Sequence, residues 1–119
     1  MKDATGPKQN YAAKEVIGMF EYEKERSTLT VRLKEDLDHS ASIELRSGLD
    51  RLLADRQIRC LVLDMKDLKF MDSSGIGFII GRYKLMAKRG GCVRIKNADR
   101  RMDRIFEMAG LYRLVERMA

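Results

Sequence analysis

Phe70-Met71-Asp72-Ser73-Ser74-Gly75-Ile76-Gly77-Phe78-Ile79-Ile80-Gly81-Arg82-Tyr83-Lys84 is the stretch on which the reading of this chain turns. Its first residues close an apolar run. An acid and two hydroxyls then open a second run with a different period. Ile76, Ile79, Ile80, Tyr83 and Met86 recur at three- and four-residue spacings and predict the inner stripe of a helix. Gly90-Gly91 ends that helix, because glycine tolerates the left-handed termination. Upstream, Cys60-Leu61-Val62-Leu63 is continuously apolar, which predicts a central strand covered on both faces, as in parallel sheets. Leu68, Phe70 and Met71 extend this buried region toward Asp72. The junction is therefore a strand that runs through Asp-Ser-Ser-Gly directly into a helix. The carboxyl ends of strands are where α/β sheets favour function.

Working outward, Val16–Glu23 contains a short β-compatible run. Ser27–Leu33 alternates with period two, Leu29, Val31 and Leu33 facing one way. The charged Lys24-Glu25-Arg26 between them reads as the hairpin connection. Asp38 or Ser40 can cap a following helix. Its stripe is Ala41, Leu45, Leu49, Leu52 and Leu53, and it ends near Asp55. After Gly91, Val93 and Ile95 alternate as another strand. Met102, Ile105, Phe106 and Ala109 fit a short helix with Gly110 just beyond, and Leu114-Val115 start a last strand. The order is β-β-α-β-α-β-α-β, with right-handed crossovers in its β-α-β portions. That is a small α/β fold, a mixed central sheet with helices packed against it. Residues 1–15 are polar, carry the only proline, Pro7, and read as a flexible tail. Residues 16–119 form the single domain.

A chain of 119 residues has room for one core. Hydrophobic residues at 45% and charged residues at 35% suit a packed, well-solvated globule and argue against disorder. The longest apolar runs are too short to span a bilayer, and the amino terminus lacks the apolar core of a signal peptide. A soluble, cytoplasmic protein is expected. Cys60 and Cys92 sit in apolar, strand-like runs without a neighbour at metal-ligand spacing, and read as buried free thiols. His39 is the only histidine, which disfavours a histidine metal site. No metal and no cofactor are expected. The net charge is +6, and residues 82–104 concentrate nine basic and two acidic residues. Such a patch attracts acidic proteins, nucleic acid or membrane surfaces, or is simply a solvated face. It lacks the interleaved aromatics of a single-strand binder.

Two readings of Asp72-Ser73-Ser74-Gly75 stand side by side. In the first, one of the polar residues caps the helix and Gly75 permits close packing. In the second, a serine is phosphorylated. A phosphoserine adds roughly −1.5 to −2 charges and three strong acceptors. A helix start tolerates that charge, so the fold survives while the surface seen by a partner changes. Hydrolase chemistry at Ser73 or Ser74 needs a base, and no G-x-S-x-G elbow is present. Gly75, Gly77 and Gly81 are spaced G-x-G-x-x-x-G. That misses the dinucleotide fingerprint and reads as helix packing. Asp36 and Asp38 read as loop entry and capping, ahead of acid–base or cation chemistry.

Phe70–Lys84, with Leu37-Asp38-His39, Cys60-Leu61-Val62-Leu63-Asp64 and Arg104-Ile105-Phe106-Glu107-Met108-Ala109-Gly110-Leu111, resembles the STAS-domain anti-sigma factor antagonists, most closely the bacterial sporulation type. The likeness runs over residues 16–117. It implies a STAS fold and a phosphorylated serine that maps onto Ser73. It also implies two protein partners. One is an anti-sigma factor that is itself an ATP-dependent serine kinase; the other is a PP2C-type serine phosphatase that restores binding. Unphosphorylated protein would hold the kinase and free its sigma factor, and the chain itself would be no enzyme. The partner-binding surface expected from this is Asp38, Asp72, Ser73, Ser74, Gly75 and Gly77. Rival readings are a STAS module in a stress-response or transporter-regulating assembly, and a small nucleotide-binding or hydrolytic protein. Nucleic acid and membrane are not expected partners, and a weak homodimer stays open.

Overall fold

The computed structural model describes residues 20–118. The tail read over residues 1–15, the start of the first run at Val16 and the side chain of Asp36 lie outside that description. Strands β1 (Phe20–Glu25) and β2 (Thr28–Leu37) form an antiparallel hairpin, Phe20 opposite Leu33 and Glu25 opposite Thr28. The turn is only Arg26-Ser27, with Arg26 in the left-handed region at φ 58°. Lys24 and Glu25 are therefore strand residues, not the expected connection. Lys24 lies at the sheet rim, where its ammonium reaches Asp55 at 2.8 Å. β2 also runs four residues past Leu33, the end of its clean alternation. Register shifts against its neighbour between Arg32 and Lys34, and between Glu35 and Asp36, break the period of two there.

Helix α1 (His39–Leu53) buries Ser42, Leu45, Gly48, Leu49 and Leu53. Strand β3 (Cys60–Met71) follows, then helix α2 (Ser73–Lys88), strand β4 (Cys92–Lys96) and helix α3 (Arg100–Met108). A 3₁₀ turn, Leu111–Arg113, leads into the two-residue strand β5 (Glu116–Arg117). The expected final strand at Leu114-Val115 is thus shifted. Leu114 sits exposed in the turn, and Val115 is buried just ahead of β5. The sheet order is β1-β2-β3-β4-β5, with every pair after the hairpin parallel.

Each parallel crossover moves one strand over in the same direction. Right-handed connections then place the three helices of the described residues on one face of the sheet. The core fits this: Leu29, Val31, Leu61, Leu63, Val93 and Ile95 from the strands pack with Leu49, Ile79, Met86 and Phe106 from the helices. Cys60 and Val62 are buried but stand outside that cluster. Cys60, Leu61, Val62 and Leu63 are all buried, as expected of a strand covered on both faces. Among the described residues the helices lie on one face only, and Cys60, Val62 and Asp64 alternate onto the other. Asp64 there accepts from Asn97 Nδ2 at 2.9 Å, the Lys66 N–H at 3.0 Å and Arg32 Nε at 3.3 Å. Burial pushes its carboxyl pKa up, but these three donors outweigh burial and hold it below the ordinary value. Past Met65 the alternation breaks at the register shifts, the core positions become Leu68 and Met71, and Phe70 is left 42% exposed, against the expectation that it is buried.

The stripe of α2 also differs from the expected one. Gly75, Phe78, Ile79, Arg82 and Met86 are buried, whereas Ile76, Ile80 and Tyr83 are half-buried. The helix packs on the sheet and on α1 together, so its covered face is wider than a single stripe and rotated toward α1. In α3, Met102 and Phe106 point inward while Ile105 is 39% exposed. Past α2, Arg89 donates to three carbonyls at and beyond the end of α1: Leu53 at 2.8 Å, Ile58 at 3.2 Å and Asp55 at 3.3 Å. A cation on those free acceptors also complements the helix dipole. Arg89→Ala is expected to lower unfolding free energy in a urea titration by about 1.5–3 kcal/mol, the range for hydrogen bonds from a charged donor.

Candidate functional site

β2 and β3 end level with each other, Leu37 paired with Met71. Each strand is followed by one aspartate and then a helix. Asp38 caps α1, its carboxylate accepting from the Ala41 N–H at 2.9 Å and its carbonyl from the Ser42 N–H at 2.9 Å. Asp72 caps α2 in the same way, taking the Ser74 N–H at 2.9 Å while its carbonyl takes the Gly75 N–H at 2.9 Å. Two helix N-termini therefore lie side by side at one edge of the sheet, each with an aspartate on it. The capping reading of Asp72-Ser73-Ser74-Gly75 is assigned to Asp72, so the two serines are not needed as caps.

Ser73 is the first residue of α2 and is exposed. Ser74 is half-buried and turns toward α1, its Oγ 3.5 Å from His39 Nδ1. That distance is at the outer limit of a hydrogen bond and gives no activated nucleophile. Gly75 is buried. A Cβ at this position would lie 2.2 Å from Met71 Cγ, 2.7 Å from Met71 Sδ and 3.2 Å from Leu37 Cδ2. Only a residue without a side chain lets α2 start this close to both strand ends. Gly77 and Gly81 behave differently: a Cβ on either meets nothing within 4 Å. The expectation that all three glycines serve helix packing holds for Gly75 alone. Of the six residues expected to form one surface, Asp38, Ser73 and Gly77 are exposed and Asp72 and Ser74 half-buried. Gly75 lies beneath them.

Sequence reading missed the groove between the two helices. It encloses about 410 Å³ and is lined by His39, Ser42, Ile43 and Arg46 of α1 and by Ser74, Gly77, Phe78, Gly81 and Arg82 of α2. Every lining position sits one turn or one residue from the next, a spacing that sequence reading could have found by asking which residues border the buried stripes. Ile43, 48% exposed, is its most exposed apolar side chain. At the far end Arg82 is buried, with Nε 3.1 Å from Asp50 Oδ1 and its guanidinium 5.2 Å from the Phe78 ring centroid. The Arg82–Asp50 pair is within ionic distance but off hydrogen-bond geometry. Burial lowers the pKa of Arg82, with Asp50 opposing the shift.

Arg82 also changes the reading of the basic stretch at residues 82–104. Three of its arginines already have partners within the chain: Arg82, buried, faces Asp50, Arg89 donates to backbone carbonyls, and Arg94 pairs with Glu116 at 2.8 Å on the surface. Lys84, Lys88, Arg100, Arg101 and Arg104 are the exposed remainder. Among the described residues no cluster of three or more histidines, cysteines or acids could hold a metal ion, and no helix is long and apolar enough to cross a membrane.

Fold and site together define a small α/β domain with two aspartate-capped helix starts side by side, Ser40 exposed on the first and Ser73 on the second. The chain belongs to the STAS-domain family, whose pattern matches residues 19–119. It is 40% identical over 96 residues to the anti-sigma F factor antagonist of Paenibacillus polymyxa, covering 81% of this chain and 82% of that protein. A structure of the anti-sigma factor antagonist SpoIIAA in its unphosphorylated form matches with a TM-score of 0.69 at 26% identity, over 84% of this chain and 87% of that one. The Bacillus cell fate determinant SpoIIAA in its phosphorylated form matches with a TM-score of 0.68 at 27% identity, over 84% and 91%. The expected family and the expected α/β fold are both borne out, and the family is a regulatory one.

Proposed function

We propose that this chain is a cytoplasmic anti-sigma factor antagonist without catalysis of its own. Its unphosphorylated form binds a serine-kinase anti-sigma factor and releases the sigma factor, and phosphorylation at Ser73 ends the binding. A PP2C-type phosphatase resets the switch. The observation that carries this reading is the placement of Ser73: exposed, first in α2, and relieved of capping duty by Asp72. Relatives named as anti-sigma F factor antagonists support it.

The division of labour follows from the geometry. Asp72 and Asp38 hold the two helix starts in place. Ser74 and Gly77 face the groove beside Ser73, and Gly75 sets how closely α2 approaches the strands. A phosphate on Ser73 finds the Ser74 N–H already taken by Asp72. The group therefore stays in water, next to two carboxylates. A partner that covers Ser73 must strip that water away, which costs several kcal/mol for an unpaired anion. The test is capture from native lysate on wild-type and Ser73→Asp baits, read by mass spectrometry. A serine-kinase anti-sigma factor is expected on the wild-type bait and absent from the Ser73→Asp bait. Its identity separates a sporulation pathway from a stress-response one. Identical captures on both baits would remove Ser73 from the interaction.

A further inference from the structure

Cys60 and Cys92 are the only cysteines of the chain, and the role proposed above uses neither. They open β3 and β4 and stand directly opposite each other in the parallel register. Both lie on the sheet face away from the helices, alternating with the core residues Leu61 and Val93. Both are free thiols, and the Cys92 thiol donates to Cys60 Sγ across 2.8 Å. The sequence separation of thirty-two positions hides this pairing, so each reads there as an isolated buried thiol. Paired Cα atoms on adjacent strands lie about 4.8 Å apart. That falls within the roughly 4.4–6.8 Å a disulfide spans, so a bond between the two needs little backbone movement.

We propose that Cys60 and Cys92 are a reversible dithiol–disulfide pair, oxidised by hydrogen peroxide, that closes β3, Ser73 and α2 into one covalent loop ending at the first residue of β4. The two sulfurs differ in access. Cys60 is 8% exposed, whereas Cys92 is partly open to solvent. Burial and the hydrogen bond from Cys92 push the Cys60 thiol up to about 12, so Cys60 holds its proton at neutral pH. Cys92 therefore reacts first. It loses its proton to solvent and attacks one peroxide oxygen. The O–O bond breaks, the departing hydroxide takes up a proton to become water, and Cys92 is left as the sulfenic acid. Cys60 Sγ then attacks Cys92 Sγ. The S–O bond breaks, and the hydroxide leaves with the Cys60 proton as a second water. Two thiols and one peroxide give one disulfide and two waters, and external thiol reverses the bond by exchange. Arg94, two residues along on the same face, has its pKa raised first by Cys60, and its cation favours negative charge on the sulfurs.

The test uses the reduced full chain, hydrogen peroxide, intact-mass spectrometry and thiol titration. The monomer is expected to lose about 2 Da, both titratable thiols are expected to disappear, and dithiothreitol is expected to restore them. Digestion should yield a linked pair of peptides containing Cys60 and Cys92. Phenylarsine oxide, which needs two close thiols, should form a one-to-one adduct with the wild type and with neither Cys60→Ser nor Cys92→Ser. Should a serine variant fail to fold, the wild-type mass and thiol count decide alone. Retention of both thiols under peroxide, or conversion only to sulfinic acids or to disulfide-linked dimers, would overturn the proposal. Neither result bears on the Ser73 switch, whose residues lie at the other end of β3 and α2.

Discussion

Gly75→Ala is expected to destabilise the domain by about 1–3 kcal/mol, the cost of overpacking a well-filled site, and to weaken partner binding beyond that loss. The new methyl would enter the space of Met71 Cγ and Sδ and press on Leu37 Cδ2. Met71 and Leu37 are the last residues of the two strands and are themselves buried. Met71 can yield only by taking a new rotamer within the packed core, and any backbone movement there would displace Asp38 or Asp72, the caps that follow directly. Otherwise the start of α2 shifts outward, carrying Ser73 with it. Gly77→Ala is the matched control. Its methyl meets open space, and alanine is favoured over glycine within a helix by roughly 0.8–1 kcal/mol. Gly77→Ala should therefore be at least as stable as wild type. A binding loss in that variant would place the partner in the groove between α1 and α2. Urea unfolding and a binding titration on both variants separate the two effects. Equal stability of Gly75→Ala and wild type would contradict the close approach of α2 to the strand ends.

Ser73→Asp is expected to bind the serine-kinase anti-sigma factor at least about 100-fold more weakly than Ser73→Ala, a difference of about 2.7 kcal/mol. Alanine removes one exposed hydroxyl that caps nothing, so the helix start and its neighbours stay in place. Aspartate introduces a third carboxylate beside Asp38 and Asp72, at a helix start whose Ser74 N–H already donates to Asp72. In the free protein water solvates that charge, and the helix dipole offsets part of the repulsion. In the complex the water is gone. Both variants should unfold at nearly the same urea concentration, so the affinity gap reports on the interface and not on folding. Circular dichroism alongside a fluorescence titration checks both halves of this expectation.

The element order, the sheet and the switch loop were legible because each rests on short-range chemistry. Alternation marks β2, an acid followed by hydroxyls marks the α2 start, and glycines mark helix ends. What the sequence hid depends on contacts between distant segments. Lys24 and Glu25 look like turn residues until Lys24 is seen at a sheet rim with Asp55 in reach. Phe70 looks like core until the strand pleat sends Met71 inward instead. Arg82 reads as part of a basic surface, yet it is buried against Asp50 and Phe78, because α2 packs sideways on α1 as well as down on the sheet. The same holds within the site. Asp72 as cap and Ser73 as the free hydroxyl follow one local pattern. The approach of His39 to Ser74, and the groove they share, follow only from β2 and β3 ending level.

The most direct measurement is a binding titration of the purified serine-kinase anti-sigma factor with two forms of this chain, unphosphorylated and stoichiometrically phosphorylated by that kinase, the site mapped by tandem mass spectrometry. A single phosphate on Ser73 is expected, with tight binding by the unphosphorylated form and loss of at least about 100-fold in affinity on phosphorylation. A phosphate found elsewhere, or equal affinity of the two forms, would contradict the Ser73 switch.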